Sequence, residues 1–220
     1  MVNLPFQDRT EAGRALAAEL AARKLGPKPI ILALPRGGLP LGIEVAARLK
    51  APLDVVVVRK LGVPWQPELA MGAIAGGTRV LEADFIRTFR ISKADLDAVV
   101  ARETAEMERR EKLYRGSLPQ LELHQRTVVI VDDGLATGST MTAAARHVRT
   151  LLPGKLIVAV PVASSQACRR LKKEADDCIC LAEPEPFTAV GEWYINFPQV
   201  SDAEVRAILE QSRREAPLVA

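Results

Sequence analysis

Two adjacent acids, Asp132 and Asp133, follow the apolar run Val128-Val129-Ile130-Val131 and open a stretch of small and hydroxyl residues, Gly134-Leu135-Ala136-Thr137-Gly138-Ser139-Thr140-Met141. A buried strand of this kind would deliver the carboxylates to its C-terminal end, where open α/β sheets bind ligands. There they can accept hydrogen bonds from the hydroxyls of a sugar. Backbone N–H groups at the helix start that follows, joined by the hydroxyls of Thr137, Ser139 and Thr140, would form a cradle for a phosphate. The stretch has neither the Gly-Lys-Ser/Thr of a Walker loop nor the Gly-x-Gly-x-x-Gly of a dinucleotide fingerprint. Read alone, Asp-Asp-Gly also suits a turn, and Ser139 a helix N-cap.

Such groups need a scaffold, and the patterning predicts a parallel one. Asp8 and Glu11 fit a capping box ahead of Ala12, Leu16 and Leu20, with Gly26 and Pro27 ending that helix. Short apolar runs at 30–34, 53–58, 128–131, 155–162 and 178–181 read as strands, and Val55 to Val58 predict burial on both faces. Helices are predicted at 39–49, 139–152 and 164–172, with a last one opened by the capping box Ser201 to Glu204. Alternation of this kind means a parallel sheet covered on both sides. Residues 59–70 break the pattern, and 71–81 read as a strand pair turning at Gly76-Gly77. A charged helix from about Ser92 to Tyr114 carries mixed signs, which fits a solvated face better than a nucleic-acid surface. One domain with a small accessory element is the expectation.

The composition narrows the classes. The chain has 220 residues, 48% of them hydrophobic and 26% charged, which supplies a core and argues against disorder. A net charge of +3 sets up no strong basic field, so nucleic acid is not the expected partner. No run approaches the roughly 18 apolar residues that span a bilayer. Cys168, Cys178 and Cys180 have too few histidines near them for a zinc site and are expected to be free, buried thiols. A soluble cytoplasmic protein is expected.

The segment Val128 to Met141 resembles the phosphoribosyl-pyrophosphate (PRPP) binding motif of the type I phosphoribosyltransferases: an apolar strand, two acids, then a Thr-Gly-x-Thr loop. The resemblance implies that Asp132 and Asp133 contact the ribose hydroxyls and that Ala136, Thr137, Gly138, Ser139 and Thr140 hold the sugar's terminal phosphate. Independently, Pro35-Arg36-Gly37-Gly38, which closes the run Ile30 to Leu34, is similar to the family's pyrophosphate loop. That loop commonly contains a cis non-proline peptide, and the likeness implies Arg36, Gly37 and Gly38 as pyrophosphate contacts. Without the other motif, the same residues would read as a strand-to-helix turn with an exposed Arg. Arg59 to Glu68 lies where the family carries a mobile catalytic loop, and Lys60 is either a cation offsetting charge on departing pyrophosphate or a solvated strand end.

The resemblance covers about residues 8–182. It implies an α/β fold whose mostly parallel central sheet of about five strands is flanked by helices on both faces, plus a small hood. Residues 1–182, with the charged helix 92–114 inserted, would form the core, and 183–220 the hood. The implied reaction moves the phosphoribosyl group of PRPP to a ring nitrogen of a base and releases pyrophosphate. Magnesium would arrive with PRPP and touch Asp132 and Asp133 through hydroxyls or water. The base would lie near Leu135, Phe187, Glu192 and Trp193, although the aromatics equally suit packing of the C-terminal helix and Glu192 a plain surface position. Enzymes for 6-oxopurines carry an acid where this chain has Ala136, which disfavours that acceptor. The family also implies a homodimer. A non-catalytic regulator that binds PRPP or a nucleotide on the same fold is the alternative.

Overall fold

A computed structural model describes residues 2–116 and 120–215. Five parallel strands form the central sheet: β1 (Ile30–Ala33), β2 (Leu53–Val55), β6 (Thr127–Val131), β7 (Lys155–Val162) and β8 (Asp177–Ala182), in the order β2-β1-β6-β7-β8. This is the α/β class expected from the sequence. The small intervening strands β3 (Val58–Val63), β4 (Gln66–Ala75) and β5 (Thr78–Leu81) make a separate antiparallel sheet.

The strands alternate strictly across the sheet. Ile31, Ala33, Val129, Val131, Ile157 and Ala159 face one core, with α1 (Arg9–Ala21), α2 (Leu39–Leu49) and α7 (Asp202–Glu215) over it. Ile30, Leu32, Val128, Ile130, Leu156 and Val158 face the other, beneath α5 (Ser139–Thr150) and α6 (Ser165–Leu171). Both faces are buried, which is why these strands read as continuous apolar runs. Asp8 caps α1 by accepting from the Glu11 N–H at 2.9 Å, as the capping box predicts.

Several expectations are corrected. The run 53–58 is not one strand: β2 ends at Val55, the buried Val56 and Val57 link the two sheets, and Val58 begins β3. Residues 59–70 are not a loop but the core of the β3–β4 hairpin, folded tightly enough that a Cβ on Gly62 would fall 2.0 Å from the Pro67 carbonyl oxygen. Its period-2 signal is spoiled by bulges at Leu61–Val63. Leu61, Val63, Met71 and Ile74 nevertheless bury against Val99 and Val100 of α4 (Lys93–Arg115). The turn at Gly76-Gly77 is as expected, with φ values of 47° and 82° that favour glycine. A short helix, α3 (Ala83–Thr88), precedes α4 and was not anticipated. Cys168 and Cys180 are not free: they are joined as a disulfide between α6 and the sheet's edge strand, and Cys178 alone is a free thiol, its Sγ 3.9 Å from that of Cys180. Spacing along the chain could not show that the inner face of α6 meets β8.

At its far end α4 is pinned to the main sheet. The Arg115 guanidinium donates from Nε to both Asp54 carboxylate oxygens, at 3.1 and 3.0 Å, and from Nη2 to the Val55 carbonyl at 2.6 Å. Asp54 is only 4% exposed, so removing it would strand a buried cation. Asp54→Ala is expected to cost about 3 kcal/mol in urea unfolding. A loss under about 1 kcal/mol would mean that this pair does not anchor α4.

Candidate active site at the ends of two central strands

The first strand of the chain has β2 on one side and β6 on the other, so the connection order reverses between β1 and β6. Crevices at such switch points, outside the carboxyl ends of the strands, are where open α/β sheets bind ligands. The residues following β1 are Pro35 to Gly38, and those following β6 are Asp132 to Gly138. The two sequence motifs therefore meet.

They meet closely. The Leu34 N–H donates to the Val131 carbonyl at 3.0 Å, and the Gly38 N–H donates to the Leu34 carbonyl at 2.9 Å. A Cβ on Gly38 would sit 2.7 and 2.8 Å from the Leu34 and Val131 carbonyl oxygens. On Gly37 it would fall 2.1 Å from Asp133 Oδ2. Both glycines are thus required by close approach and not by backbone conformation. The Pro35–Arg36 peptide is cis, as the resemblance implies.

Asp133 is held from three sides. Arg9 donates from Nε to Asp133 Oδ2 at 2.9 Å, Tyr194 donates its hydroxyl to the Asp133 carbonyl at 2.6 Å, and the Asp133 N–H donates to Asp132 Oδ1 at 2.9 Å. Burial, followed by the charge of Asp133, pushes Asp132 well above the usual carboxylate range. Burial also raises Asp133, and the Arg9 guanidinium works against that rise. An arriving cation or a set of hydroxyl donors would favour the ionised forms of both.

Beyond the acids, Gly134 lies against Val190, and Leu135 pairs with Ala163 by donating to the Val162 carbonyl at 3.0 Å and accepting from the Ser164 N–H at 2.9 Å. Ser164 Oγ donates to the Ala136 carbonyl at 2.6 Å. Gly138, at φ 74°, is the N-cap of α5, so Ser139 is the helix's first residue and not its cap. Ala136 and Thr137 are exposed, Ser139 and Thr140 half-buried, and the Ser139 N–H donates to Thr137 Oγ1 at 3.4 Å. The helix entry thus presents hydroxyls and backbone N–H groups beside the carboxylates.

The remaining anticipated residues have other neighbours among the described residues. Arg36 lies with Nη1 3.9 Å from Asp202 Oδ1 at the start of α7. Asp202 in turn accepts from the Tyr114 hydroxyl at 2.6 Å, and burial together with this bond raises Tyr114 to about 12. Lys60 is exposed on β3, opposite Ala73, while its neighbour Arg59 is tied to Glu103 at 2.8 Å. Leu135 is 4% exposed and belongs to the core beneath α5 and α6. Phe187 and Trp193 are half-buried with ring centroids 6.1 Å apart, packed among Phe6, Val162 and Val190. The Trp193 Nε1 is buried with no hydrogen-bond partner among the described residues, and Glu192 is exposed. A cavity of about 390 Å³ between α1, α2 and α7 is lined by Arg9 and Glu204 among others, and Asp132 and Asp133 are not in its wall.

Arg9 was missed from the sequence. Its only local signal is a place behind the N-cap of α1, and its partner lies 124 residues away. Tyr194 falls in the aromatic stretch that the sequence did single out, but its hydroxyl bond to Asp133 carries no sequence signal.

Fold and loop pairing place the chain among α/β proteins of the type I phosphoribosyltransferase kind. Residues 7–194 match the family model for the phosphoribosyl transferase domain, and the chain belongs to that family. It is 46% identical over 211 residues to a protein of Mycobacterium tuberculosis (strain CDC 1551 / Oshkosh) that is provisionally named a phosphoribosyl transferase, and the strain ATCC 25618 / H37Rv counterpart matches equally. The match covers 96% of this chain and 47% of each relative, so the chain spans about half the length of the curated relatives it matches. Among solved structures, TT1426 from Thermus thermophilus superposes with a TM-score of 0.81 at 42% identity, covering 94% of this chain and 99% of that one. No helix among the described residues is long and apolar enough to cross a membrane.

The contact between the loops is directly testable. Gly37→Ala must displace the Asp133 carboxylate, and an overpacked site of this kind is expected to lose about 1–3 kcal/mol of stability in urea unfolding. Unchanged stability would mean that the two loops are farther apart than described.

Proposed function

We propose that this chain transfers the 5-phosphoribosyl group of PRPP to a ring nitrogen of a purine or pyrimidine base and releases pyrophosphate. The observation that carries the reading is the convergence of two adjacent carboxylates, a hydroxyl-lined helix entry and the Arg36–Gly38 loop at one switch point. A ribose set between the loops would place its hydroxyls on Asp132 and Asp133. Its phosphate would rest on residues 136–140 and its pyrophosphate against Arg36, Gly37 and Gly38. Family membership supports the reaction class, and 6-oxopurines are the less favoured acceptors because Ala136 offers no acid.

In the reaction the bond from the sugar's C1 to the pyrophosphate oxygen breaks with its electron pair leaving on pyrophosphate, the bond from C1 to the base nitrogen forms, and the N–H proton of the base passes to solvent. The protein's part is positioning and charge stabilisation. Asp132 and Asp133 orient the sugar, and Arg36 turns from Asp202 toward the developing negative charge. Lys60, projecting from the β3–β4 hairpin, is the second candidate cation. The paired carboxylates form an all-oxygen donor set, which suits magnesium brought in by PRPP and held through hydroxyls or water. Bound there, the ion would neutralise pyrophosphate charge and fix the substrate's geometry. Residues 183–215 would serve as the hood, with Phe187 and Trp193 beside the base; positions 216–220 of the sequence-based hood lie outside the described residues. A homodimer in the cytoplasm completes the proposal.

The test is a pyrophosphate-release screen over purine and pyrimidine bases with PRPP and magnesium. Release with one base is expected, and Asp133→Asn should weaken PRPP binding at least about tenfold by removing a charged acceptor. PRPP binding without release on any base would favour the non-catalytic regulator. Undiminished binding by Asp132→Asn and Asp133→Asn together would overturn the site.

A further inference from the structure

Arg9 is buried to an extent that an arginine tolerates only when paired, with its side chain 10% exposed. Three separate contacts fix it. Nε donates to Asp133 Oδ2 at 2.9 Å, Nη1 donates to the Pro198 carbonyl at 2.7 Å, and the guanidinium carbon lies 3.7 Å from the centroid of the Phe197 ring. The first is a charge-assisted bond and the last a cation–π contact, so the cation is held at its face and its edge. Phe197 is stacked on Tyr194 at 4.9 Å, and Tyr194 is the residue whose hydroxyl grips the Asp133 main chain. The segment before α1 joins the same cluster: the Phe6 N–H donates to the Trp193 carbonyl at 2.9 Å, and the Ile195 N–H donates back to the Phe6 carbonyl at 2.8 Å.

Asp133 is therefore clamped at its side chain by the start of the chain and at its main chain by the segment 194–198. Asp133 Oδ2 also occupies the space that a side chain at position 37 would fill, 2.1 Å from where its Cβ would lie. Among the described residues, Arg9 is the one cation hydrogen-bonded to this acidic pair.

Resting on the reading of Asp133 as a ribose contact, we infer that Arg9 is a positioning residue for PRPP: its guanidinium, braced on Phe197 and Pro198, aims the Asp133 carboxylate at the sugar. Arg9 acts through Asp133 and does not itself need to touch the ligand. A lysine could supply the charge at Asp133, but it has no second arm for Pro198 and no flat face for the ring.

A double-mutant cycle separates this role from a general contribution to folding. PRPP affinity in the presence of magnesium is measured by calorimetry for the parent, Arg9→Gln, Arg9→Lys, Asp133→Asn and the Arg9→Gln/Asp133→Asn double variant, with thermal unfolding followed in parallel. Arg9→Gln is expected to weaken PRPP about tenfold or more, Arg9→Lys less, and the double variant no more than Asp133→Asn alone. If Arg9→Gln loses the same factor with and without Asp133, or loses none while Asp133→Asn does, the positioning role is overturned. If Asp133→Asn itself leaves PRPP affinity unchanged, the underlying site reading fails instead. Should Arg9→Gln fail to fold, Phe197→Leu removes only the ring that braces the guanidinium. It should give a smaller loss that also disappears in the Asp133→Asn background, and a loss that persists there overturns the inference.

Discussion

Two carboxylates side by side at the buried end of a parallel strand are an electrostatic liability, and much of this molecule is arranged around it. Asp132 and Asp133 repel each other and are partly withdrawn from water, which pushes the pKa of both upward, so a neutralising cation and good hydrogen-bond donors favour their ionised forms. The protein supplies the carboxylates with a cation from α1 and a main-chain donor from within the pair itself, and the Tyr194 hydroxyl fixes the Asp133 main chain beside them. Glycines at 37 and 38 let a second loop close over the same strand end without a side chain between them. Two partly buried acids with a second loop packed against them form the seat on which the proposed reaction rests.

The scaffold explains why this seat can be held so closely. Strand β6 is central in the five-stranded sheet, and Val128, Val129, Ile130 and Val131 are all wholly buried, so its end is fixed by packing on both faces. The disulfide from Cys168 to Cys180 ties the edge strand to α6, and α6 backs the phosphate-loop side through Ala167, which a Cβ on Gly138 would meet at 3.3 Å. The accessory sheet is attached differently: Ala73, Ala75 and Val80 pack on Ala143 of α5, and the Arg115–Asp54 pair anchors the helix that follows. Arg36 and the start of α7 meet through Asp202, so the loop after β1 also packs against that helix.

What the sequence made legible follows from how local each signal is. The core strands were readable because burial on both faces demands uninterrupted apolar residues, as in Ile30 to Ala33 and Val128 to Val131. The loop after β6 was readable as a helix entry because its residues are contiguous, and the Asp8 and Ser201 caps because a cap is a short-range bond. The β3–β4 hairpin was not, since bulges at Leu61–Val63 interrupt its alternation and Pro64 and Pro67 resemble loop residues. The clamp on Asp133 was not either: Arg9 reaches it from 124 residues away and Tyr194 from 61, while Pro198 holds Arg9, and only the fold says that these segments are neighbours. Leu135 was drawn into the base site by its place in the motif, whereas its apolar side chain had a core to join.

The central claim is that one ligand bridges the loops after β1 and β6. A crystal structure with PRPP and magnesium tests it most directly. The account predicts ribose hydroxyls within hydrogen-bond distance of Asp132 and Asp133, the terminal phosphate on residues 136–140, and the pyrophosphate beside Gly37 and Gly38. PRPP bound away from the two acids, for instance in the cavity between α1, α2 and α7, would contradict it.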